Sequence, residues 1–285
     1  MPNFFEGDKK ICSACRKREA IYKRISSGEI LCKLCLFRSL VKQVRKAVHY
    51  YKMVNRLSSV LFIIRPDAVS ESIVGFNIYR RATRDFELKY NVLCIDRLVD
   101  CEAVKKSVDE KSVNLIVIES NFKTQKFIEL VKYVDAIAVK ISKKLGINFV
   151  VTPLFRDELT MLSLLGILTV SRTIFSEGLP IKIVDNVKIT RPFFYVISPD
   201  VAMLRYLEGV DIDPLILIEC DGFTQKAKKM LFSSIELAYS SIKTVELLQS
   251  YVFGASTRCR YCGAFSLNTV CDVCEKLSQY IDIIG

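Results

Sequence analysis

No uninterrupted apolar run in this 285-residue chain reaches the ~20 residues that a membrane-spanning helix needs, so no membrane span is expected. Met1 to Lys10 contain no apolar stretch of the kind a secretory signal carries. No internal repeat and no low-complexity segment stands out. Tryptophan is absent and histidine occurs once, at His49; neither scarcity assigns a function. His49 reads as a surface residue of structural role rather than a catalytic one. The chain is 51% hydrophobic and 26% charged, which excludes a disordered or collagen-like polymer. It reads as cytoplasmic, with length for a real core and small appendages.

The charge is concentrated. Residues 1–56 carry 14 Lys+Arg against 4 Asp+Glu, while residues 57–285 carry 28 against 27. A field of this density on the N-terminal fifth suits contact with nucleic acid phosphates, the alternative being a solvated lysine-rich surface. From Leu34 to about Arg56, apolar residues repeat with a helical period. Arg38, Lys42, Arg45, Lys46 and Lys52 fall largely on the opposite face. With Arg16, Lys17, Arg18, Lys23 and Arg24 they form the candidate RNA-binding set. Such phosphate contacts would be salt-sensitive and indifferent to base sequence.

Eleven cysteines in a chain of this kind point to metal before disulfides. Cys12, Cys15, Cys32 and Cys35 form C-x2-C-x16-C-x2-C. Cys259, Cys262, Cys271 and Cys274 form C-x2-C-x8-C-x2-C. Each pair is a knuckle that presents two sulfurs to one ion, and two knuckles close a tetrahedral thiolate site. The expectation is two structural zinc ions that supply folding energy rather than chemistry. Bound as thiolates, the first site still leaves residues 1–56 strongly cationic. Cys94, in an apolar run, reads as core, and Cys101, at a helix start, as a small buried residue.

Beyond Arg56, apolar runs alternate with helical patterns. Strands are expected at Val60–Arg65, Asn91–Asp96, Asn114–Glu119 and Ile147–Thr152. Helices are expected at Ala68–Arg84, Glu102–Asp109, Thr124–Leu145 and Arg156–Val170, with Gly146 as a C-cap. Lys182–Val196 reads as an extended pair; Pro199–Glu208 and Thr224–Tyr251 read as helical. This is an α/β pattern with a parallel sheet covered on both faces. Ligands in such sheets bind beyond the carboxyl ends of the strands. Three segments follow: 1–56 (zinc finger and basic helix), 57–255 (the α/β domain) and 256–285 (a C-terminal zinc ribbon). Leu231-Phe232 and Leu247-Leu248 read as ordinary core, with dimerisation the alternative.

This order of parts resembles the tRNA 2-thiolation family, PP-loop ATPases that make 2-thiouridine and carry N- and C-terminal zinc fingers. Lys143-Lys144-Leu145-Gly146 before a strand and Arg191-Pro192 after the last strand also look like the family. The resemblance implies a Rossmann-like sheet of the adenine nucleotide alpha hydrolase (PP-loop) type between two zinc modules. It also implies where chemistry would lie, and there this chain departs. The family's S-G-G-K-D-S loop falls on Asp67, Ala68, Val69, Ser70, Glu71 and Ser72, of which only Ser72 matches. The glycines that let backbone N–H groups approach phosphate are gone, and so is the lysine. Asp67 and Glu71 would repel a polyphosphate, although Arg65 stands nearby. The family's G-H-N-x-D-D falls on Pro153 to Glu158, where only the carboxylates Asp157 and Glu158 survive. Ser120 to Thr124 hold no cysteine where the family has one. Glu219-Cys220-Asp221 keeps a single thiol, too few for a cubane cluster.

These losses imply a pseudoenzyme that uses neither ATP nor an iron–sulfur cluster. The expected role is a non-catalytic partner that binds tRNA or another structured RNA, as a homodimer or as a heterodimer with an active thiolation subunit. One alternative is a repurposed RNA- or ribosome-binding protein. Another is an active tRNA-modifying ATPase with an altered site around Arg65, Arg97, Asp157 and Glu158.

Overall fold

The computed structural model describes residues 10–25, 27–108, 113–219, 226, 229–230, 237, 240, 243–248 and 257–283. A small hairpin, β1 (Tyr22–Lys23) and β2 (Ile30–Leu31), leads into helix α1 (Lys33–Tyr50). Then follow β3 (Ser59–Ile63), α2 (Val69–Ala82), β4 (Lys89–Asp96), α3 (Cys101–Ser107), β5 (Val113–Glu119) and α4 (Phe127–Leu145). Next come β6 (Phe149–Val151), α5 (Arg156–Leu168), α6 (Arg172–Phe175), β7 (Ile181–Val184), β8 (Val187–Thr190) and α7 (Ser198–Glu208). The hairpin β9 (Thr257–Arg258) with β10 (Phe265–Ser266) and helix α8 (Asp272–Ile283) end the described chain.

The six-stranded sheet has the order β5-β4-β3-β6-β8-β7. All its pairings are parallel except β7 with β8. The expected parallel sheet is therefore mixed: the extended pair after residue 180 is a tight hairpin, and its first strand must run antiparallel to its second. The strand order reverses between β3 and β6. Val60 to Ile63 of β3 are fully buried there, since neighbours cover both edges and helices cover both faces. At the other end, β5 is an edge strand among the described residues, and Val117 is exposed.

Helix α4 packs on β3, β6 and β8, and α8 packs on α4; α1, α2 and α7 pack on one another. The apolar stripe of α1 (Leu36, Leu40, Val44, Ala47, Val48) joins the same hydrophobic core as the sheet. So do Leu277 and Ile281 of α8. Helix α1 stops earlier than the periodicity suggested. The chain reverses at Lys52, whose φ is 49°, and Met53 and Val54 turn back into the core. Gly146 ends α4 in the left-handed conformation (φ 66°), as expected of a C-cap.

Cys94 and Cys101 are buried as expected, but they are also joined in a disulfide, with their Cα atoms 5.9 Å apart. That pairing corrects the reading of two separate core thiols. The turn after β4, with Arg97 at φ 68°, brings the start of α3 back against the strand. Of the apolar pairs near the C-terminus, Leu231-Phe232 lie outside the described residues. Leu247 is exposed, and Leu248 packs against Phe175, Leu179, Val245 and Phe265.

One glycine is essential to this packing. A Cβ on Gly178 would lie 1.7 Å from Ser163 Oγ and 2.6 Å from Leu159 O of α5. Gly178→Ala is therefore expected to destabilise the fold by roughly 3 kcal/mol, the upper range for core overpacking. Thermal unfolding against the parent chain measures it; an unchanged midpoint would contradict the packing described.

Candidate functional site

Strand β3 delivers Arg65 to the point where the strand order reverses, and β6 with α5 delivers Glu158 opposite. Arg65 is 3% exposed. Its Nη2 lies 2.5 Å from Asp67 Oδ2 and 2.9 Å from Glu158 Oε1. Its Nη1 lies 2.6 Å from Glu158 Oε2 and 3.0 Å from Pro153 O, and its Nε 3.2 Å from Asp67 Oδ1. Every nitrogen of the fork is thus engaged. Burial alone would lower the Arg65 pKa, but Asp67 and then Glu158 hold it above the usual arginine value. Burial raises the Glu158 pKa against the pull of Arg65. Glu158 also accepts from the Phe155 backbone N–H at the start of α5.

The other positions of the expected nucleotide loop are occupied as well. Ser72 Oγ accepts from Arg65 N at 3.1 Å and donates to Ala68 O at 2.7 Å. Ser70 Oγ donates to Ile212 O and accepts from Ile212 N, at 3.1 and 2.8 Å. Glu71 pairs with Arg205 at 2.9 Å, and Arg205 also pairs with Asp211. Asp157 accepts from the backbone and hydroxyl of Ser198, at the start of α7. Arg65, Asp67 and Glu158 are brought together; Ser70, Glu71 and Asp157 are instead tied to α7 and the segment after it. The carboxylates expected to repel a polyphosphate are already matched by Arg65 and Arg205. Above them lies a cleft of about 740 Å³, lined by Asp67, Glu158, Phe127, Met161, Leu162 and Ile216 among others.

After β5, Ser120 hydrogen-bonds Tyr133, and Arg97 pairs with Glu119 and Asn121. Cys220 lies outside the described residues.

Both cysteine sets assemble. Within each set of four, the sulfurs lie within 4.8 Å of one another. Cys32 is the N-cap of α1, so the first site anchors the basic helix. A backbone N–H from Lys17 is the largest influence that lowers the Cys15 pKa, to about 6. In the second site, Cys271 N donates to Cys259 Sγ at 3.4 Å and Cys274 N to Cys271 Sγ at 3.5 Å. Buried, mutually close thiolates with backbone donors fit a tetrahedral metal ion, and all four corners are protein sulfur.

The second site touches a buried ion cluster that composition and spacing did not reveal. Lys132 of α4 is fully buried, 3.8 Å from Cys262 Sγ and 2.9 Å from Glu177. Lys182 bridges Glu177 and Asp135, at 2.6 and 2.8 Å. Arg191 bridges the same two carboxylates, at 2.6 and 3.1 Å. Burial would raise the Glu177 pKa, but Lys132, Lys182 and Arg191 hold it down to about 2. Burial would lower the Lys132 pKa, but Cys262 and Glu177 keep it well above the usual lysine range. Of its members, only Arg191 stood out in the sequence, in the Arg191-Pro192 pair.

Of the ten basic candidates, Arg16, Lys17, Arg18, Lys23, Arg38, Lys42, Lys46 and Lys52 are exposed. Arg45 is partly exposed and caps the end of α2 through the carbonyls of Arg81 and Ala82. Arg24 is drawn inside, 2.8 Å from Asp200, and is not presented to solvent. No described helix is long and apolar enough to cross a membrane.

No family model and no curated protein matches this chain. Among solved structures it superposes on the U34-tRNA thiolase NcsA from Methanococcus maripaludis, solved with its 4Fe-4S cluster. The TM-score is 0.74 over 94% of this chain and 96% of that one, at 15% identity. The two chains share a fold. At this identity the likeness extends to the fold alone. The neighbour's cluster leaves the expectation that this chain holds none without support. An NAD+ synthetase from Burkholderia pseudomallei (10% identity, 78% of this chain, 89% of that one) scores 0.40. A glutamine-dependent NAD+ synthetase from Acinetobacter baumannii, in complex with ADP (12%, 85% and 49%), also scores 0.40. Neither score carries an argument.

Two outcomes follow from the ion clusters. Arg65→Ala strands two carboxylates that are 13% exposed and is expected to cost about 3 kcal/mol, the lower end for a broken buried pair. The triple variant Arg65→Met, Asp67→Asn, Glu158→Gln should recover most of that in a denaturant titration. Lys132→Met removes the cation beside the second thiolate site. Metal release to a chromogenic chelator should then quicken for the C-terminal site alone, by about tenfold, as for loss of an outer partner.

Proposed function

We propose that this chain is a non-catalytic relative of the tRNA 2-thiouridine synthetases that binds tRNA and serves as partner subunit to an active thiolation enzyme. The observation that carries this reading is the Arg65 fork. Adenylation needs a pocket that neutralises and positions a polyphosphate. At the reversal of strand order, the place for one, the buried cation Arg65 has both its carboxylate partners in hand. A phosphate entering there would have to displace Asp67 and Glu158. Ser70 and Glu71, at the positions of the loop's lysine and aspartate, are held by Ile212 and Arg205. No cysteine stands at Ser120 to Thr124.

What is retained supports the other half of the reading. The exposed cations of α1 and of the first knuckle would supply the RNA-binding surface, anchored by a thiolate site. The two cysteine sets would hold structural zinc, and residues 1–56, 57–255 and 256–285 would act as finger, scaffold and ribbon.

Calorimetry with ATP and magnesium, and mass spectrometry of tRNA incubated with the purified chain and a sulfur donor, test the catalytic half. The expected outcome is no ATP heat and no sulfur gained. Tight ATP binding with turnover would refute it and favour a working enzyme with an altered site. Gentle purification from native lysate is expected to recover tRNA together with a thiolation subunit. Recovery with ribosomal subunits instead would favour a repurposed ribosome-binding protein.

A further inference from the structure

The last turn of α1 meets an aromatic cluster that the basic face alone did not suggest. Tyr51 packs edge-on against Tyr50 (4.8 Å between centroids) and Phe194 (5.3 Å), and lies near-parallel to Tyr195 at 6.3 Å. The Tyr51 and Tyr195 hydroxyls share a hydrogen bond, and Glu246 accepts from Tyr51. These contacts fix the inner rings. The outer ring, Tyr50, remains 64% exposed.

Lysines lie on its helix and beside its supporting rings. Lys46 Nζ stands 4.9 Å from the Tyr195 centroid. Lys42 and Lys46 are exposed on the same face of α1 as Tyr50, Lys52 is exposed in the turn that follows, and Lys188 reaches the Lys52 carbonyl at 3.1 Å. The acid in the cluster, Glu246, is engaged by Lys243 and Tyr51. An exposed ring on a rigid base, within a cationic surface, is the arrangement that binds unpaired nucleotides. Bases stack on the ring, and ammonium groups hold the flanking phosphates.

We propose that Tyr50, backed by Tyr51 and Tyr195, is a stacking platform for an unpaired RNA base whose flanking phosphates lie on Lys42, Lys46 and Lys52. This deepens, and rests on, the RNA-binding part of the function proposed above. It makes the surface a reader of single-stranded RNA rather than of helical backbone alone. A ring adds no charge, so Tyr50 should set affinity without setting its salt dependence.

Fluorescence anisotropy with two probes tests this: a labelled dodecauridylate strand and a blunt 16-base-pair RNA duplex. Tyr50→Ala should weaken the strand at least fivefold, leave the duplex within twofold, and leave the slope of log affinity against log salt unchanged. Tyr50→Phe should bind as the parent does. Lys46→Gln should weaken both probes. If Tyr50→Ala binds the strand normally, or weakens both probes alike, the platform is refuted while RNA binding stands. If the parent chain binds neither probe, the RNA-binding reading itself falls.

Discussion

A guanidinium with every nitrogen engaged stands where the strand order of the sheet reverses, and the site is organised around it. Arg65 is buried, and a buried cation must be matched by charge and hydrogen bonds or it will not stay. Asp67 and Glu158 supply both. In doing so they bind the end of β3 to the start of α5 across the mouth of the sheet. An open α/β sheet ordinarily leaves this place for a ligand. Here Arg65, Asp67 and Glu158 satisfy one another at that place.

A second buried network does comparable work at the far edge of the sheet. Lys132, Asp135, Glu177, Lys182 and Arg191 tie α4, the turn after α6, β7 and the end of β8 into one polar knot. Its contact with Cys262 puts the C-terminal thiolates within reach of a core cation. The two cysteine sets therefore differ in kind. The first organises the exposed basic helix; the second is wired into the interior of the sheet domain.

Much of this was readable beforehand, and the divide between readable and hidden has a physical cause. Both thiolate sets are announced by knuckles, because the ligands in each pair lie three residues apart. Strands and helices follow from short-range periodicity, and the observed boundaries differ by a few residues. What escaped depends on partners distant in sequence. Glu158 lies 93 positions from Arg65, and Asp200 lies 176 from Arg24. Lys23-Arg24 looks like a pair of surface cations, yet one points out and the other in. The Cys94–Cys101 link is short in sequence, but it needs a left-handed turn at Arg97 that no residue pattern advertised. Lys132 and Glu177 meet across 45 positions, and no local pattern singles out either residue.

The chain leaving α7 crosses the start of α2, and Ser70 holds it there through both polar groups of the Ile212 backbone. That crossing limits what positions 68 to 72 can hold. A lysine at position 70 would deprive Ile212 of its donor and its acceptor in one step. It would also bring a third cation beside carboxylates already claimed by Arg65 and Arg205. Glycines at 68 and 69 would loosen the helix start while leaving Arg65 held by Asp67 and Glu158. A phosphate-binding loop at positions 67 to 72 would therefore need several coordinated substitutions rather than one. A change at Ser70 or Glu71 is felt at once by the chain around α7, as a pulled thread is felt across a seam.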